Sequence, residues 1–318
     1  MVRMGPVDKM KTPTPPFTFY LMAICLVMLC ICPLPSLAQS AAPAKPSQEG
    51  AEKWHPTFYA FNNSMRGKGM SMQEQVELLV DLGFDGYEGH SMDELPQMIK
   101  LLDAAKLKMP TLYFKVDIDN VEQPYDPRIE EYLKTHLKDR GTILTVHLHS
   151  KKFGKSDPKG DVAAVPILRK LADLAFDYGA QVAVYPHARF WAESHDDAIR
   201  LSKKVNRRNF GACFNLCHWL YLEGETDLVK QLNALAPYLM SVSICGSQGG
   251  PKMEKPNWKK LIQPLDKGTF DNQNLIRQLR KRGYRGPFGL QTYGIAEDPR
   301  DHLKRSIARW LELRALSR

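Results

Sequence analysis

Between residues 57 and 316, short apolar runs alternate with longer amphipathic stretches eight times over. Runs of strand length at 57–62, 84–90, 109–116, 142–149, 181–187, 211–216, 238–245 and 288–293 are each followed by a stretch of helical periodicity. Those stretches cover 71–82, 92–106, 127–139, 162–178, 194–205, 226–235, 272–282 and 300–316. Local signals support the boundaries. Ser71 with Glu74 three residues on has the form of a capping box, Gly83 suits a helix stop, and Pro127 suits a first helical turn. Repeated strand–helix units predict a parallel α/β sheet, and eight of them predict a closed (β/α)8 TIM barrel. An open doubly wound sheet is the competing layout, but no glycine-rich phosphate loop follows the first strand.

Within the strands, period-two alternation assigns the faces. Gly211, Cys213 and Asn215 share one face and Ala212, Phe214 and Leu216 the other. The same phase turns Tyr113, Lys115 and Asp117, Ala183, Tyr185 and His187, Ser241, Ser243 and Cys245, and Gly289, Gln291 and Tyr293 toward the lumen. Polar residues gather where strands end, as in Thr145-Val-His-Leu-His149 and Val184-Tyr-Pro-His187. A polar rim at the C-terminal ends of barrel strands is where such a fold carries its site.

The N-terminal segment has a different pattern. Arg3, Lys9 and Lys11 precede an apolar stretch centred on residues 17–32, and Ser36-Leu-Ala38 supplies small residues for a signal peptidase. Residues 1–38 therefore read as a signal peptide of an exported (periplasmic or secreted) protein, with an uncleaved membrane anchor as the alternative. Residues 39–53, small, polar and proline-rich, read as a disordered leader, leaving 54–318 as a single barrel domain. The formal charge of +9 changes little, because the basic residues are scattered and suit helix ends better than a nucleic-acid groove. No nucleic-acid partner is expected, and no membrane contact beyond the signal segment. After the signal only Cys213, Cys217 and Cys245 remain, a set that does not suggest a disulfide framework despite export.

The segments Gly83-Phe-Asp-Gly-Tyr-Glu88, Gly179-Ala-Gln-Val-Ala-Val-Tyr-Pro186, Asn215-Leu-Cys-His218 and Gly283-Tyr-Arg-Gly-Pro-Phe-Gly-Leu-Gln291 resemble the xylose-isomerase-like barrels. That superfamily includes sugar and sugar-phosphate isomerases and epimerases, and is related to the endonuclease IV barrels. The resemblance spans residues 55–316 and implies one divalent metal held by a glutamate, an aspartate, a histidine and a glutamate at the ends of strands 5–8. Those four positions fall on Tyr185, Asn215, Ser243 and Gln291, while the histidine that follows the aspartate is kept as His218. No metal is expected at the family positions, since Mg2+ or Mn2+ needs anionic oxygens.

Two arrangements follow. In one, a borderline ion such as zinc moves onto His147, His149, His187 and His218, the first two of which share a strand face. In the other, no cofactor is held, and these histidines with Glu88 carry protons. Asn215, Gln291, Tyr185, Lys115, Trp219 and Tyr293 are the candidate substrate contacts. Four of these have a plainer alternative: Tyr185 and Tyr293 as lumen filling, Trp219 buried in its loop, and Lys115 paired with Asp117 or Asp119. The resemblance implies an isomerase or epimerase acting on a polyol or (keto)sugar by proton abstraction beside a carbonyl, and the signal segment makes it an exported one. A lyase or hydratase on oxidised sugars shares that first step. A non-catalytic carbohydrate-binding barrel and, last, a nuclease complete the alternatives.

Overall fold

A computed structural model describes residues 54–255 and 257–317. The predicted signal segment and leader (1–53) lie outside the described residues. Among those described, no helix is long and apolar enough to cross a membrane.

The strands are β1 (Phe58–Ala60), β2 (Gly86–Tyr87), β3 (Thr111–Asp117), β4 (Ile143–His149), β5 (Gln181–Val184), β6 (Phe210–Asn215), β7 (Leu239–Ile244) and β8 (Phe288–Leu290). All pair in parallel in the order β2-β1-β8-β7-β6-β5-β4-β3. The two ends of that series meet through backbone bonds from Gly89 N to Thr111 O (2.9 Å) and from Tyr113 N to Gly89 O (2.8 Å). Parallel bridges at Gly86–Lys108 and Gly89–Leu112 complete the seam, so the sheet is a closed TIM barrel.

The helices are α1 (Met72–Leu82), α2 (Leu95–Ala104), α3 (Ile129–Thr135), α4 (Asp161–Asp177), α5 (His195–Val205), α6 (Leu216–Leu222), α7 (Leu228–Leu235), α8 (Trp258–Leu261), α9 (Asn272–Lys281) and α10 (Pro299–Leu316). The capping box on α1 forms as expected: Ser71 Oγ accepts from Glu74 N, and the Glu74 carboxylate accepts from Ser71 N at 2.7 Å. Gly83 then ends the helix at φ 81°, a left-handed conformation that favours glycine. Ser194 and Asp197 build a second capping box on α5.

Two apolar layers result. Ala212 and Phe214 pack outward with the helices, while Tyr59, Phe61, Ile143, Ala183, Tyr185 and Cys213 fill the lumen. Gly289 is needed there, because a Cβ would come within 2.2 Å of the Phe61 ring. The strand phase expected for β5, β6 and β8 is therefore correct at these positions. Cys245 departs from it: β7 ends at Ile244, and the Cys245 thiol turns to the Leu261 carbonyl among the helix-side core. Cys213, Cys217 and Cys245 are buried free thiols.

A helix missing from the sequence reading is α6. It begins at Leu216, directly after β6, where a strand end and loop are expected. Its consequence falls on Trp219. The helical turn carries that ring inward against Phe214 (5.8 Å between centroids) and Phe270 (6.2 Å), so it is core and not rim. Trp191 is likewise buried.

Candidate active site

At the C-terminal end of the barrel a cavity of about 300 Å³ opens above the lumen core. Phe61 and Tyr185 form its floor side. Glu88, His90 and Tyr113 stand on the β2–β3 wall, with His187, Arg189 and His218 across from them after β5 and β6. Asn63, Arg66, Gln291 and Tyr293 come from the ends of β1 and β8, and Trp258 and Ile262 from the long loop after β7.

Glu88 directly follows β2 and is 3% exposed. Its Oε1 has no hydrogen-bond partner in the protein. Burial drives its carboxyl up to about 8, with the Asn62 backbone amide and Arg66 opposing that shift only in part. A buried carboxyl on the lining of a cavity, with an oxygen that no protein group satisfies, is equipped to exchange a proton with a ligand.

The facing wall is built around one residue. Ala188 O accepts from His187 Nδ1 (2.8 Å), and Ala188 N donates to His218 Nδ1 (3.1 Å). Since a carbonyl only accepts, neutral His187 holds its proton on Nδ1 and leaves Nε2 bare. Since Ala188 N–H only donates, neutral His218 carries its proton on Nε2. Burial pulls His187 down to about 4 and His218 well below the usual imidazole range, so both are neutral at pH 7. The cavity thus meets a lone pair and an N–H side by side, with ring centroids 4.1 Å apart.

Gln291 and Tyr185 also line this space. Gln291 Oε1 accepts from Asn63 Nδ2 (2.5 Å) and Tyr293 N (3.0 Å), while its Nε2 points to the Tyr185 hydroxyl at 3.4 Å. Tyr293 is 58% exposed at the mouth.

The remaining sequence candidates lie elsewhere. Asn215 is fully buried: its Oδ1 accepts from Ser243 Oγ (3.0 Å) and its Nδ2 donates to Pro186 O (3.4 Å). Lys115 is exposed beyond the cavity and Trp219 is in the core. His147 and His149 bond to one another (Nδ1 to Nε2, 2.7 Å) behind Tyr113, whose ring stacks on His147 at 4.1 Å. Burial pushes His147 down to about 2.

The four histidines do not converge. Phe190 stands between the pairs, stacked on His187 (4.0 Å, 12°) on one side and 4.0 Å from His149 on the other. Among the described residues no group of three or more histidine, cysteine, aspartate or glutamate side chains could hold a metal ion. The zinc arrangement on His147, His149, His187 and His218 therefore lacks its geometry. Nor does the donor set at the family positions fit a hard divalent ion. Asn215 and Ser243 bond each other away from the cavity, and Tyr185 and Gln291 bring no formal charge at neutral pH.

Sequence reasoning passed over Asn63, Arg66, His90 and Arg189. His90 had a signal, since it lies two residues beyond Glu88 and period two returns it to the same face. The others sit in loops whose course no periodicity describes.

The closed barrel with its rim cavity agrees with a match of the xylose isomerase-like TIM barrel family model to residues 76–313. The chain belongs to that family. No curated protein sequence matches this xylose isomerase-like barrel. Among solved structures it is similar to 3-keto-D-glucoside 4-epimerase (YcjR) from E. coli, at 18% identity and a TM-score of 0.60, over 81% of this chain and 99% of that one. It is similar to D-allulose 3-epimerase from Methylomonas sp., at 17% identity and a TM-score of 0.62, over 81% and 98%. L-ribulose 3-epimerase is a third such neighbour, at 13% identity and 0.65, over 83% and 96%. At these identities the likeness is one of fold.

Proposed function

We propose that this xylose isomerase-like barrel binds a carbohydrate with a carbonyl in the rim cavity and transfers a proton at the neighbouring carbon, acting as an isomerase or epimerase. The observation that carries this reading is Glu88: a cavity-facing carboxyl, buried, with one oxygen unpartnered and its affinity for a proton raised to about 8. The fold neighbours that act on sugars, the two ketose 3-epimerases and the 3-keto-glucoside 4-epimerase, support the substrate class.

In this reading ionised Glu88 takes the proton from the carbon beside the carbonyl. The C–H electron pair moves into a carbon–carbon double bond, and the carbonyl pair moves onto oxygen. His218 Nε2–H, neutral because burial suppresses the imidazolium, donates to that oxygen as its charge grows. His187 Nε2 accepts from a substrate hydroxyl and orients the sugar. Return of the proton from Glu88 to the former carbonyl carbon, with the neighbouring hydroxyl's proton passing to the oxyanion as the new carbonyl forms, completes an isomerisation. Return to the original carbon, after the planar intermediate turns over, completes an epimerisation.

The family's divalent ion would supply charge stabilisation at the same oxygen. The reading assigns no step to it, because the donor set at Tyr185, Asn215, Ser243 and Gln291 does not suit such an ion. Export through residues 1–38 is part of the proposal.

The test is incubation of purified protein with a panel of ketoses, aldoses and 3-keto-glycosides, followed by NMR for new stereoisomers. An epimer or isomer formed from one member supports the reading. Saturable binding of a sugar without product would make the protein a binding barrel instead.

A further inference from the structure

The proton-transfer scheme leaves two cavity residues without a task, Arg66 and Arg189. Arg66 follows β1 and Arg189 follows β5, strands on opposite sides of the eight-membered ring. Both residues line the cavity, one from each side, and both are exposed at its mouth. Neither joins any ion pair among the described residues, whereas Arg128, Arg140 and Arg305 on the outer surface each close on aspartates. Arg66 is held in place by a neutral group: its Nη1 lies 2.8 Å from His90 Nε2, which accepts from it. A bond to a neutral imidazole orients the guanidinium without cancelling its charge.

Arg189 is a second, independent sign. It adopts φ +76°, a left-handed conformation that costs a side-chain-bearing residue about 1 kcal/mol. The turn is fixed by its own N–H, which donates to Glu193 Oε2 at 3.0 Å. The turn therefore holds a strained arginine at the mouth where glycine would sit freely. Glu88 is the carboxyl of this lining, and burial keeps it largely protonated at neutral pH, while the Glu193 carboxylate is engaged by the Arg189 backbone N–H and closes no ion pair with either guanidinium.

We propose that Arg66 and Arg189 select a sugar bearing an acidic substituent, a carboxylate or a phosphate ester, over the corresponding neutral sugar. This rests on the carbohydrate reading given above. Both anions present two or more oxygens to a planar guanidinium fork, which pairs with them through two parallel N–H bonds.

The experiment is calorimetric titration of the full-length protein with three probes: D-fructose, D-glucuronate and D-fructose 6-phosphate. At least one anionic probe should bind tenfold or more tightly than fructose, and the preference should fall as salt is raised. Which of the two binds separates carboxylate from phosphate recognition. Arg66→Ala and Arg189→Gly should each reduce the preference. Glycine suits the backbone at 189 and alanine replaces an exposed side chain at 66, so neither change threatens folding. Fructose binding as tightly as both anions, or an anion preference untouched in both variants, would overturn the proposal while leaving the carbohydrate reading intact. Binding of none of the three would sink both.

Discussion

His187 and His218 face the cavity in opposite tautomers because one residue, Ala188, accepts a hydrogen bond from the first and donates one to the second. The two rings consequently have different jobs, and their removal should read out differently. His218→Phe keeps a buried ring but deletes the donor aimed at the developing oxyanion. The expected loss is about 100- to 1000-fold in kcat with KM little changed. His187→Phe deletes a hydroxyl acceptor and should raise KM more than it lowers kcat. Steady-state kinetics on the active sugar, with folding checked by circular dichroism, measure both.

Glu88 ties stability to pH. Its folded-state affinity for a proton is raised, to about 8, above that of the exposed chain, so the folded protein favours the acid form. Its contribution is therefore fully present below the ordinary carboxylate range and is lost as pH rises toward 8. On linkage grounds the cost of ionisation reaches on the order of 3 kcal/mol near pH 7. Glu88→Gln removes the ionisable group at nearly constant volume. Its melting temperature should exceed that of the native protein at pH 8 and approach it at pH 5. Turnover of the native enzyme should rise with pH through about 8, because the base must be ionised.

Arg189→Gly should relieve the left-handed strain and raise stability by about 1 kcal/mol, read as a shift in denaturant midpoint with an unchanged slope. A variant less stable than the native protein would mean that packing of the arginine stem outweighs the backbone term.

The sequence reading reached the barrel because period-two strands and capped helices are local features. Ser71 with Glu74 and the lumen phase of Cys213 against Phe214 depend only on neighbouring residues. Glu88, Tyr185, His187, His218, Gln291 and Tyr293 reach the cavity from strand ends or the residues just after them, and that too was legible. His147, His149 and Lys115 share a strand face with Tyr113 or its partners, yet lie outside the cavity. Phase gives the face of a residue but not its height, and Tyr113 and Phe190 screen the two histidines. Asn215 and Trp219 were misplaced for another reason. The chain turns into α6 immediately, and side chains facing the rim of a continued strand instead enter the interior. Arg66 and Arg189 come from loops and are visible only in three dimensions.

The proposed export makes a simple prediction. Protein recovered from the envelope or medium of its host should lack residues 1–38, with an intact mass that begins at Gln39. Recovery of the full-length chain in the membrane fraction would point to an uncleaved anchor.

The central claim is that Glu88 moves a carbon-bound proton without the family's divalent ion. Its most direct test is proton exchange in D2O, with the protein treated with a chelator and shown by elemental analysis to be free of magnesium, manganese and zinc. Incubated with its sugar, the native protein should wash deuterium into the carbon beside the carbonyl, and Glu88→Gln should not. Exchange that appears only after a metal is restored, or that persists unchanged in Glu88→Gln, would contradict the account.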